Sequence, residues 1–319
     1  IYANHIGHKV TLWAHDPNNA NTIKDTRENI TYLPGIKIDS KIKITNDLQE
    51  ALNKSELVLL VTPSAYYRTT LKNLAPYLKE NMFITSFVKG IENNTHALMS
   101  DIFEEIFPQF KNKISYLSGP SFAKELALNK PVNLACASHD IEVARKIQTL
   151  LHSNLMRIYT SDDVKGIEIA GALKNVIAIA CGTSDGLNAG LSARAALMTR
   201  GLIEMTRLGV AINANPITFL GLAGVGDLIL TCTGDLSRNR SLGLKLAQGQ
   251  NVADILKSQK AVAEGYVTAK PAFELAKKLN VDTPIIDGVY SVCYENKKVK
   301  EVANKLMERA MKDEFEGIK

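Results

Sequence analysis

Two periods of hydrophobic and polar positions alternate along the first half of the chain. Short apolar runs, "KVTLWAH", "KIKITN", "ELVLLVTPS", "MFITSFVKG", "KISYLSGPS" and "PVNLACAS", read as strands. Between them, "DLQEALNKS", "AYYRTTLKNLAPYL", "HALMSDIFEEIF" and "DIEVARKIQTLLHS" carry apolar residues three or four apart and predict helices. Asp47 and Asp140 stand where N-caps are needed. The opening "IYANHI" reads as the last turns of a helix, with Gly7 as its left-handed stop and "KVTLWAH" as a buried strand after it. Apolar strands separated by helices predict a parallel sheet covered on both faces.

Near residue 160 the period changes, and from "DDVKGIEIAGALKNVIAIACGTSDGL" onward nearly every segment is helical. The stretch around Lys174 is apolar almost all round, including Ile169, Leu173, Val176 and Ile177, so it belongs at the centre of a helical domain. The pattern divides the chain into an α/β domain, residues 1–158, and an all-α domain, residues 159–319. Clefts between domains are where ligands usually sit.

Composition narrows the classes. With 319 residues and 45% hydrophobic content the chain can fill two cores. It has no apolar run of about 18 residues and no secretory pattern at its start, so no membrane span is expected and a cytoplasmic setting is. The four cysteines, Cys136, Cys181, Cys232 and Cys293, lack metal-ligand spacing; they read as reduced and buried, and no metal site is expected. The net charge of +5 is dispersed rather than clustered, which argues against nucleic acid and leaves an anionic small molecule.

Three stretches are richer in small and polar residues than packing requires. Lys89 and Gly90 in "SFVKGIE", and Gly119, Pro120 and Ser121 in "LSGPSFAKE", follow strands, at the carboxyl edge where open sheets bind ligands. The third, "GLAGVGDLILTCTGDLSRNRSLG", holds five glycines, Asp227 on an apolar segment, and Ser237, Arg238 and Asn239 before a helix. Free N–H groups and a guanidinium at a helix start suit phosphate, although Ser237 also fits an ordinary N-cap. Lys174 is an ammonium on a buried apolar helix, which must be paired or depressed in pKa, and either state suits proton transfer to a developing alkoxide. The plain alternative is a lysine that snorkels to the surface.

Together "LSGPSFAKELA", "ALKNVIAIACGTSDGL", "GLAGVGDLILTCTGDLSRNRSLG" and "VAEGYVTAK" resemble the bacterial-type NAD(P)-dependent sn-glycerol-3-phosphate dehydrogenases, from residue 1 to about residue 310. The resemblance implies a Rossmann-like domain for NAD or NADP and a helical domain that completes the site for dihydroxyacetone phosphate and glycerol 3-phosphate. It implies Lys174 as the catalytic lysine, with Asp227 orienting or charge-balancing it. It places Lys89, Gly119, Ser121, Lys174, Asp227, Ser237, Arg238 and Asn239 at the substrate. At the cofactor it places His15, Tyr32, Lys89, Ala123, Arg238, Val262 and Glu264. A role in supplying phospholipid synthesis follows from the same resemblance. A homodimer is the default assembly, and His15 beside Asp16 leaves NAD and NADP both open.

The departure is at the front. A dinucleotide-binding unit runs strand, glycine-rich turn, helix, second strand, and this chain enters that order partway through the helix. About 15 to 20 preceding residues are expected. Without them the sheet should show two unpaired edges, and the chain as written should bind dinucleotide poorly. Two rival readings stay open: a related two-domain hydroxyacid dehydrogenase, and a non-catalytic fragment.

Overall fold

The computed structural model describes residues 1–258 and 263–315. A single helical turn, α1 (Tyr2–His5), ends through Gly7 at φ 98°, a left-handed backbone that glycine adopts without a Cβ clash. Then come β1 (Thr11–Trp13), α2 (Pro17–Thr26) and β2 (Lys43–Thr45). The two strands pair in parallel, and Ala20, Ile23, Ile38, Ile42 and Ile44 form a small core with them. All three residues of β1 are half-buried rather than buried, because among the described residues β1 pairs with β2 alone.

After α3 (Leu48–Leu52), capped by Asp47, a second sheet begins with β3 (Leu57–Leu60). It continues through α4 (Tyr67–Leu74), β4 (Phe83–Ser86), α5 (Met99–Ile106), β5 (Ile114–Ser118), α6 (Ala123–Ala127) and β6 (Val132–Ala137). It closes with α7 (Ile141–Leu151), capped by Asp140, and β7 (Met156–Ser161). Strand order is β3-β4-β5-β6-β7, and β3 pairs with β4 alone among the described residues.

Two features differ from the sequence expectation. The sheet is not wholly parallel: β6 runs antiparallel to β5, with Leu117 opposite Cys136. The connection between them carries only the five-residue α6, which rises about 7.5 Å and does not return the chain along a full strand. The apolar pattern also does not predict the strand β7. Its inward residues are only Met156 and Ile158, alternating with the exposed Arg157 and Tyr159, so its apolar signal is thin.

The second domain is helical, and its axis is α8 (Val164–Gly186), buried along nearly its whole length. Asp163 caps it, accepting from Gly166 N–H at 2.9 Å. Around it lie α9 (Leu191–Ala211), α10 (Asp227–Thr233), α11 (Arg238–Ala247), α12 (Val252–Ser258), α13 (Glu264–Lys278), α14 (Pro284–Tyr294) and α15 (Val299–Met307). A Cβ on Gly243 would lie 2.1 Å from the Ile179 carbonyl oxygen, so α11 rests backbone to backbone on α8. Leu173, Val176 and Ile177 meet Met205, Leu208 and Phe219 in the core of this domain. All four cysteines are free and buried. Among the described residues no helix is long and apolar enough to cross a membrane, and no cluster of three or more His, Cys, Asp or Glu could hold a metal.

Two buried glutamates serve helix starts, where backbone donors lack partners. Glu168 accepts from Ser100 N–H at 2.9 Å and Ser100 Oγ at 2.5 Å at the head of α5, and Glu204 accepts from Ile285 and Ile286 N–H at 2.7 and 3.1 Å at the head of α14. Burial raises both carboxyls to about 8, against the pull of those hydrogen bonds. Near neutrality the folded chain therefore keeps protons that the unfolded chain, with carboxyls near 4.5, has released. The stability tied to these groups is complete below that lower value and is lost as pH rises through about 8. Thermal melts from about pH 5 to 8 should show a falling Tm, with a shallower slope in Glu168→Gln and Glu204→Gln; a wild-type Tm constant over that range would contradict this.

Candidate active site

The site forms where the carboxyl ends of β4 and β5 meet the middle of α8. Lys89 follows β4 and the Gly119–Ser121 turn follows β5. Gly171, one turn before Lys174, makes the approach feasible: a Cβ there would lie 2.8 Å from Ser118 Oγ and 3.4 Å from Lys89 Cδ. Gly119 adopts φ 144° and packs so closely on β6 that a Cβ would lie 3.0 Å from the Asn133 carbonyl oxygen. From the other side, a π-helical turn over Leu222–Gly226 delivers Asp227 to the head of α10, and a Cβ on Gly226 would touch Pro120 at 3.7 Å. Such one-turn widenings are frequent at functional sites.

At the centre Lys174 and Asp227 are 7% and 1% exposed. Lys174 Nζ donates to Asp227 Oδ1 and, at 2.8 Å, to Thr231 Oγ1. Lys89 Nζ donates to Asp227 Oδ2 at 2.6 Å. One carboxylate thus faces two ammonium groups, and the cluster keeps a surplus positive charge when all three are ionised. Burial drives Lys174 down to about 8, with Lys89 adding to the fall and Asp227 opposing it. Burial also works against charge on Asp227, yet Lys174 and Lys89 hold its carboxyl below the usual range. Lys174 does not snorkel.

Around this pair lies a polar shell. Asn239 donates to Asn175 Oδ1 at 2.8 Å and accepts from Gly265 N–H at 2.9 Å, which ties α11, α8 and α13 together. Ser237 is the N-cap of α11, its Oγ accepting from Arg240 N–H at 3.2 Å, and Arg238 is exposed on the first turn. Ser121 Oγ donates to the Gly119 carbonyl at 3.2 Å. Glu264 opens α13 and accepts from Ser64 Oγ at 2.5 Å; burial raises its carboxyl, while Ser64 and the Arg238 charge oppose the rise. Ser118 Oγ and Thr268 Oγ1 are buried with no partner, and a bound polar group beside Gly90 and Gly171 would satisfy such hydroxyls. These two unpaired hydroxyls beside the cluster are compatible with a polar ligand there.

The structure gathers Lys89, Gly119, Ser121, Lys174 and Asp227 at one place, with Asn239, Ser237, Arg238 and Glu264 on adjoining helix starts. His15 and Tyr32 lie apart, exposed on the β1–α2–β2 unit, where the His15 ring stands edge-on to Trp13 at 5.9 Å. Asp16, beside His15, is the N-cap of α2, accepting from Asn18 N–H at 2.9 Å. Ala123 is the exposed first residue of α6, and Val262 lies outside the described residues. Sequence reasoning missed Thr231, Asn175 and Ser64. Thr231 was findable, four residues after Asp227 on the same helix face; Ser64 was not, being 200 positions from its partner.

A sheet domain docked on a helical domain, with a paired lysine and aspartate at the strands' carboxyl ends, is the build of the two-domain dehydrogenases, whose dinucleotide binds at that edge of the sheet. Residues 1–144 match the family model for the N-terminus of NAD-dependent glycerol-3-phosphate dehydrogenase, and residues 163–304 match that for its C-terminus. The chain is 49% identical to the glycerol-3-phosphate dehydrogenase (NAD(P)+) of Citrifermentans bemidjiense over 310 residues, covering 97% of this chain and 92% of that protein. With its counterpart from Myxococcus xanthus it shares 47% identity over 97% of this chain and 93% of that one. The crystal structure of glycerol-3-phosphate dehydrogenase from Coxiella burnetii aligns with a TM-score of 0.91 at 31% identity, covering 97% of this chain and 94% of the other. The chain belongs to the NAD-dependent glycerol-3-phosphate dehydrogenase family.

Proposed function

We propose that this enzyme interconverts dihydroxyacetone phosphate and sn-glycerol 3-phosphate with NAD(P)H or NAD(P)+, residues 1–158 serving the cofactor and residues 159–319 completing the substrate site. The observation that carries the reading is the buried Lys174–Asp227–Lys89 cluster at the strands' carboxyl ends. A nicotinamide held by the sheet domain would supply the hydride for carbon 2. Lys174, near 8 rather than 10.5, is poised to give its proton to the carbonyl oxygen as that oxygen becomes an alkoxide, and to take it back in the reverse direction. Asp227 compensates the ammonium and Thr231 fixes its direction, so the proton is held at one atom.

The phosphate is assigned to the head of α11, where Arg238 and Asn239 follow the Ser237 cap, and Lys89, Gly119 and Ser121 are assigned to the substrate from the sheet side. Ser237 serves as both cap and neighbour, since its hydroxyl hydrogen is not used in the bond to Arg240 N–H. Glu264, Lys89, Arg238 and Ala123 are assigned to the near part of the cofactor, with His15 and Tyr32 at its adenosine end and Val262 beside Glu264 in sequence. The product would enter glycerophospholipid synthesis in the cytoplasm; four free, buried cysteines support a reducing compartment.

In Lys174→Ala, turnover of dihydroxyacetone phosphate should fall by about 100- to 10,000-fold, with the NADH dissociation constant within about threefold. Retained turnover, or faster turnover of small keto acids than of the triose phosphate, would overturn the proposal. A homodimer is the assembly proposed, supported by the exposed apolar side chains of Leu191, Ile217 and Leu220. Light scattering should give twice the mass of the 34.9 kDa chain, and a monomer at micromolar concentration would refute it.

A further inference from the structure

Ser64 opens a 3-10 turn, Ser64–Tyr66, just beyond the carboxyl end of β3, and is buried. Its Oγ donates to Glu264 Oε2 at 2.5 Å and its N–H approaches Oε1 at 3.4 Å. One residue of the sheet domain thereby grips both oxygens of a carboxylate on the helical domain. We infer that Ser64 is a positioning residue for the cofactor: it fixes the Glu264 carboxylate across the domain boundary in the orientation that meets the dinucleotide. This rests on the assignment of Glu264 to the cofactor.

Three observations support more than adhesion between domains. Among the described residues Glu264 forms no salt bridge, so Ser64 supplies its hydrogen bonds. A hydroxyl fixes a carboxylate without neutralising it and leaves lone pairs for a ligand's donors. The position is also built for Ser64: a Cβ on Gly90 would lie 2.5 Å from Ser64 Cβ and 2.7 Å from its Oγ, so only glycine admits the serine. Gly90 directly follows Lys89, which holds Asp227, and the grip on Glu264 is thus adjacent to the catalytic cluster. Finally, Thr268 lies one turn after Glu264, with a fully buried Oγ1 that has no partner and stands 3.8 Å from the same Cβ position. A held acceptor and an unpartnered hydroxyl therefore lie together beside Ser64.

The test is steady-state kinetics with NADH as the varied substrate in Ser64→Ala, Ser64→Thr, Glu264→Gln and the Ser64→Ala/Glu264→Gln double variant. Loss of a hydrogen bond to a charged group should raise the NADH KM about tenfold in Ser64→Ala, leave kcat within about twofold, and be largely reversed in Ser64→Thr. The double variant should be no worse than Glu264→Gln. If Glu264→Gln raises KM while Ser64→Ala does not, or if the two effects multiply, the inference fails and the cofactor role of Glu264 stands. If Glu264→Gln leaves KM unchanged, the assignment beneath it fails instead. Should Ser64→Ala not fold, Gly90→Ala, which crowds Ser64 from its place while keeping the hydroxyl, must show the same rise in KM or the inference is overturned.

Discussion

One buried carboxylate, Asp227, holds two ammonium groups that reach it from opposite domains, Lys89 from the sheet and Lys174 from the central helix. Taking Lys174 and Asp227 out of water costs several kcal/mol each unless geometry returns it, and here both carboxylate oxygens are engaged and Lys174 has Thr231 as a second acceptor. Without Asp227 the buried Lys174 and the half-buried Lys89 would face each other unpaired. The same arrangement joins the Ser100–Glu168 and Ser64–Glu264 contacts in tying the two domains together, and it sets Lys174 between a charged and a neutral form near working pH.

Much of the architecture serves to bring those charges together. Gly171 lets the end of β5 and the Lys89 side chain lie against α8, and Gly243 lets α11 settle on its other side. The widened turn before Asp227 turns that residue inward. Each glycine stands where a methyl group would meet backbone or a short side chain, so the site depends on close backbone approach as much as on its charged residues.

What could be read from the sequence followed from contradiction between a residue and its surroundings. Lys174 stood out because a cation sat on an all-apolar helix, and Asp227 because an anion sat on an apolar segment; each was the other's solution. The order of strands and helices was legible from period alone. The reversal of β6 was not, since a strand's apolar pattern reads the same in either direction, and β7 was too weakly apolar to register beside Arg157 and Tyr159. Ser64 left no trace either: a serine after proline reads as a turn until the fold brings it to Glu264. His15 and Tyr32 rest on the resemblance alone, for the structure leaves both on the surface of a separate two-stranded unit.

Proton transfer at this site turns on a lysine whose proton is held loosely enough to be given away. The direct measurement is the titration of Lys174 itself by NMR of the enzyme carrying 13C-labelled lysine, its signal assigned by its loss in Lys174→Met. The expected midpoint is near 8, well below the ordinary lysine value of 10.5. A midpoint at the ordinary value of 10.5 would mean that burial and Lys89 do not outweigh Asp227, and Lys174 would then be a structural ion pair rather than the proton donor.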